Sequence, residues 1–125
     1  MKKLILLNLT SVVLLTIFTF PSEAHYVAPV KPKIPTTNEL ITRYAAKYRV
    51  SEKVMHRVIK CESTYNPKAI GDGGKSHGLV QIHLPSHPKV TKVQARNPEF
   101  AIDFLAKNLA KGKGRMWTCY RIHYS

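Results

Sequence analysis

A helical stripe that ends on a carboxylate constrains this chain more than any other feature. Val54, Met55, Val58 and Ile59 recur at the spacing of one helix face, and Glu62, four residues after Val58 and three after Ile59, continues that face. A charge thus stands where a Leu would pack. The helix cannot run far beyond it, because Asn66-Pro67 disfavours helical continuation and Gly71, Gly73 and Gly74 follow. The pattern predicts a carboxylate at a helix end, facing a glycine loop. Burial and the partial negative charge of a helix C-terminus both favour the protonated form, so the pKa of Glu62 is expected to rise, which is what a general acid needs. Spacing alone equally allows an exposed, lysine-paired glutamate at a frayed helix end.

Upstream, Thr36 and Glu39 have the spacing of a capping box, and Leu40, Tyr44 and Tyr48, with Ile41 and Ala45 beside them, form a stripe that should end near Arg49. Ser51 can cap the next helix, which makes an αα-hairpin whose second arm delivers Glu62. From Tyr65 to Arg96, Gly, Pro, Ser and His residues break any periodicity, so loops are expected, with one short helical turn after Gly78 and a groove wall among them. Asn97-Pro98-Glu99 starts a further helix, buried through Phe100, Phe104, Leu105 and Leu109 and ended by Gly112 or Gly114. Trp117 and Tyr120 can stack on a sugar face or simply pack. With no alternating strand in sight, the chain reads as a small, mainly α, single domain.

Three alternatives for the loop are set aside. Gly74-Lys75-Ser76 lacks the earlier glycine and the leading strand of a phosphate-binding loop. His83 and His87 are four apart, but Pro85 between them opposes the helix that would place both on one metal. Asp72, among glycines, reads as a solvated turn residue.

At 125 residues the chain holds one domain. Residues 1–24, with Lys2 and Lys3 before an apolar run and Ser22-Glu23-Ala24 at its end, read as a signal peptide cut after Ala24, an uncleaved membrane anchor being the alternative. Residues 25–35 read as a Pro/Lys-rich linker and 36–125 as the folded domain. Cleavage removes Lys2, Lys3 and Glu23 and lowers the net charge from +13 to +12. An exported cation of this kind suits weak binding to anionic surfaces, and without a nucleic-acid motif no nucleic acid is expected as partner. Cys61 and Cys119 form one disulfide in an oxidising compartment, or remain two buried thiols. On the chain-entropy model the bridge would contribute about 4 kcal/mol.

Residues 39–82 resemble the transglycosylase domain of the soluble lytic transglycosylases, in the lysozyme-like superfamily. The resemblance rests on Glu62-Ser63, Tyr65-Asn66-Pro67-Lys68-Ala69 and Gly78-Leu79-Val80-Gln81-Ile82 in that order, around a glycine loop. It implies a lysozyme-like domain in which Glu62 is the catalytic acid and Ser63 and Gln81 orient it or the sugar. Ser76, Gly78, Trp117 and Tyr120 are counted with them as substrate-binding residues. The family's later Tyr-Asn-x-Gly segment is missing, and Tyr120 is the nearest equivalent of its tyrosine.

The implied function is cleavage of the β-1,4 bond between N-acetylmuramic acid and N-acetylglucosamine in peptidoglycan, by an exported monomer, periplasmic or extracellular, with no cofactor. Of the six acids after residue 24, only Glu62 and Asp72 are expected near the loop. A rigid second carboxylate is therefore not expected, and the muramic C6 hydroxyl should attack in place of water, leaving 1,6-anhydro ends. A lysozyme-type hydrolase and a non-enzymatic cationic wall-binding protein are the alternatives. Neither sulfur enters such a reaction, so the disulfide is expected to serve stability.

Overall fold

A computed structural model describes residues 31–124. The expected signal peptide and the first part of the expected linker lie outside the described residues. From Lys33 onward the chain forms one small, mainly helical unit. Helix α1 spans Thr37–Tyr48 and α2 spans Glu52–Ser63. The first has the expected capping box: the Thr36 side chain accepts from the Glu39 N–H, and Glu39 reaches back to the Thr36 N–H at 2.7 Å. Ser51 caps the second by accepting from the Val54 N–H. Arg49 ends α1 in the left-handed conformation, φ 54°.

The segment expected to be loop carries more structure than that. Strands β1 (Ile70–Gly71), β2 (Ser76–His77) and β3 (Ile82–His83) form an antiparallel sheet in chain order, with Ile70 opposite His77 and His77 opposite Ile82. The chain after Gly78 is the turn of this hairpin, in place of the expected helical turn. Leu79 and Val80 at its tip are wholly buried, because apolar side chains there remove surface from water as well as any strand residue would. A short helix α3 (Lys92–Arg96) follows, capped by Thr91 with Gln94.

Helix α4 (Pro98–Ala110) starts as expected, with the Asn97 side chain accepting from the Phe100 N–H. A last helix, α5 (Thr118–Tyr124), occupies the stretch where no helix was expected. The core joins Leu40, Ile41 and Ala45 of α1 to Met55, Val58 and Ile59 of α2 and Ile102 and Leu105 of α4, with the hairpin tip and Trp117 closing it. At the rim between α1 and α4, the Tyr48 hydroxyl and the Lys47 ammonium both donate to Asp103, at 2.8 and 3.0 Å, and the Tyr44 hydroxyl donates to Glu99 at 3.0 Å.

Candidate active site

Glu62 is the last residue but one of α2. Thr64 and Tyr65, both left-handed with φ 51° and 61°, turn the chain away at once, so the carboxylate stands at an abrupt helix end. Ser63 fastens that end: its hydroxyl donates to the Leu79 carbonyl at 2.7 Å, with the Ile59 carbonyl also in reach at 3.2 Å. Across the site the Cys119 N–H donates to Glu62 Oε1 at 3.2 Å. That N–H lies in the first turn of α5, where no intrahelical carbonyl is available. Glu62 thus does for α5, from a distant element, what Ser51 does for α2.

The carboxylate is half-buried, and burial raises its pKa. The Cys119 N–H, which favours the charged form, works against this; the negative charge of Asp72 adds to the rise, and Arg121 opposes it. Burial as the leading cause agrees with the stripe; the influence of Asp72 is new. Asp72 opens a 3₁₀ turn, Asp72–Gly74, in a left-handed conformation, φ 50°, and its carboxylate accepts a hydrogen bond from the buried Ser76 hydroxyl. It is exposed, as a turn residue should be, yet it lines the same cavity as Glu62.

That cavity has a volume of about 260 Å³, with Ser76 and Gln81 on the sheet side and Thr118 at the start of α5. His83, Ser86, Met116 and Trp117 border it and also a second cavity of about 270 Å³ that reaches His87 and Phe104. The two hollows make one groove. Gln81 is set into it by backbone geometry: its φ is 49°, its side-chain amide donates to the Gly78 carbonyl at 3.0 Å, and a Cβ on Gly71 would overlap its Oε1. Gly78, φ 82°, has the Ala95 carbonyl where a side chain would start, so only glycine fits that turn.

Glu62, Ser76, Gln81 and Trp117 therefore meet around one groove, with Ser63 and Gly78 behind them as braces. Trp117 is 5% exposed, its indole N–H donates to the Val80 carbonyl at 2.7 Å and its ring stands edge-on to Phe104; packing claims nearly all of the ring. Tyr120 borders neither hollow. It lies with Val50, Ser51, Val54 and Leu109, over Gly114, and the hydrogen bond to Glu62 from this helix is made by the neighbouring Cys119 amide. Both cysteines are joined as a disulfide.

Asp72, His83, Ser86, Met116 and Thr118 were not counted among the site residues. Met116 and Thr118 flank Trp117 and were within reach of that signal, whereas nothing in the sequence marks Ser86. Among the described residues no three His, Cys, Asp or Glu side chains group as metal ligands would.

One family model, "Transglycosylase SLT domain", matches residues 39–121, about two thirds of the chain. No curated protein and no solved structure matches it.

Proposed function

Because the chain belongs to the transglycosylase SLT domain family, we propose that it is an exported peptidoglycan lytic transglycosylase with Glu62 as its general acid and base. The observation that carries this reading is the half-buried Glu62 carboxylate, its pKa raised, opening on a groove lined by Ser76 and Gln81. In its protonated form Glu62 gives its proton to the glycosidic oxygen between N-acetylmuramic acid and N-acetylglucosamine, and the bond from that oxygen to C1 of the muramic sugar breaks. Now ionised, it takes the proton of the muramic C6 hydroxyl as that oxygen closes on C1, which returns the acid to its starting form. Export is supported by the disulfide, which belongs to an oxidising compartment.

Asp72 favours a second reading. It sits on the same cavity and is held by Ser76, so a lysozyme-type hydrolysis with Asp72 as second carboxylate has a candidate for that role. Product analysis separates the two. Mass spectrometry of digested sacculi should find 1,6-anhydro ends, lighter by one water than hydrolytic ends, and Glu62→Gln should lower the rate by about 10²–10⁴-fold with wall binding retained. Reducing ends that disappear in Asp72→Asn would establish the hydrolase. Full lysis by Glu62→Gln would remove Glu62 as the acid from both readings, whereas wild-type protein that binds sacculi and releases no fragments would leave a wall-binding protein.

A further inference from the structure

Cys61 and Cys119 are joined with their Cα atoms 5.9 Å apart, and each is coupled to the acid in a different way. Cys61 precedes Glu62 in α2, while Cys119 supplies the N–H that Glu62 accepts at 3.2 Å. The covalent bond therefore spans the same two segments as the hydrogen bond, one residue away on α2 and on the very residue that donates on α5. Such a brace is needed. Helix α5 has seven residues, too few to hold a helix unaided, and Cys119 is its only buried residue. Its other ties include the packing of Tyr120 against the core and over Gly114, the Trp117 indole N–H on the Val80 carbonyl just before it, and an exposed bond from Arg57 to the Tyr124 hydroxyl at 3.2 Å.

We propose that the Cys61–Cys119 disulfide is a positioning element of the reaction, holding the Cys119 amide against Glu62 so that the acid keeps one orientation toward the groove. The inference rests on Glu62 being the acid. Neither sulfur takes part in bond making; the coupling runs through the amide of the bonded residue, which a role in stability alone would leave out of account. Its electrical consequence has a definite sign. The groups that act on Glu62 are the Cys119 N–H and Arg121 from α5 and Asp72 from the turn after β1, with His83 of β3 on the same cavity. Both contributions from α5 favour the ionised carboxylate. With α5 still covering the carboxylate, loss of the Cys119 hydrogen bond leaves burial and Asp72 less opposed, so Glu62 should bind its proton more tightly.

The test compares oxidised protein with a Cys61→Ala/Cys119→Ala double variant and with wild-type protein reduced by a phosphine in the cold. Carboxyl-carbon NMR reads the titration of Glu62, and the Trp117 indole N–H resonance reports the fold in the same samples. The expected result is a midpoint higher by about half a unit or more, with the Trp117 resonance in place. On purified sacculi kcat should fall about tenfold with KM within about twofold, since misorientation of a reacting group acts on the chemical step. An unmoved midpoint with wild-type kcat in folded protein overturns the proposal. Loss of the Trp117 resonance in both samples also overturns it, assigning the bond to stability. The underlying assignment fails separately: a fully active Glu62→Gln removes the acid itself, whereas an inactive Glu62→Gln beside an unaffected double variant removes only the positioning role.

Discussion

Glu62 is half-buried beside Asp72, and only the Cys119 N–H and Arg121 favour its ionised form. Its folded-state pKa stands above the unfolded value, so it favours folding below the ordinary carboxylate range and that contribution is lost as pH rises through the raised pKa. Glu62→Gln, whose amide oxygen can still accept from Cys119, should therefore melt higher than the wild type at about pH 7, by roughly 1–3 °C, and the gap should close at about pH 4. Thermal melts at the two pH values read it; a gap that is constant with pH would mean that the charge is not the cause. The residue was legible because a carboxylate interrupts an apolar stripe. Asp72 was not, since its place on the cavity depends on a left-handed φ and on the Ser76 hydroxyl four residues later, neither of which spacing encodes. The Cys119 amide was hidden for a plainer reason: every residue but proline has one.

At the level of single elements, α1 shows how much a cap can specify. Thr36 and Glu39 satisfy each other's backbone N–H groups, and Lys33 reaches Glu39 at 2.8 Å, which together hold the Glu39 pKa down to about 2. Thr36→Ala should lower stability by about 1 kcal/mol in denaturant titration, with no change in activity per folded molecule. Helices α1, α2 and α4 could be read because each has such a cap and a stripe behind it. Strands β1 to β3 have two residues each, too few for alternation to appear. Thr91 and Gln94 did carry the cap signature of α3, but its five residues have no room for a stripe. Helix α5 buries one residue and takes its place from a cross-link and a tryptophan, so no local pattern announces it.

At the scale of the whole molecule, the six acids among the described residues are committed. Glu39, Glu52, Glu99 and Asp103 each engage a partner on or just before α1, through Lys33, Thr42, Arg43, Tyr44, Lys47 or Tyr48, and Glu62 and Asp72 line the groove. On the proposed function, the cationic excess would draw the protein to an anionic wall. Sedimentation with sacculi should show the bound fraction falling several-fold between roughly 0.1 M and 1 M salt, as the screening length shrinks from about 10 Å to about 3 Å. Salt-independent binding would mean that shape, not charge, holds the glycan. The buried hairpin tip has a different consequence. Leu79 and Val80 plug the groove wall into the core by the turn rather than by the strands, so the segment bearing Ser76 and Gln81 cannot swing out without breaching the apolar interior. Local opening of this wall is therefore costly, because it would expose both side chains to water. On the proposed function, a glycan chain would be received by a fixed slot and would have to be laid in or threaded along it, which moves the demand for flexibility from the protein to the wall.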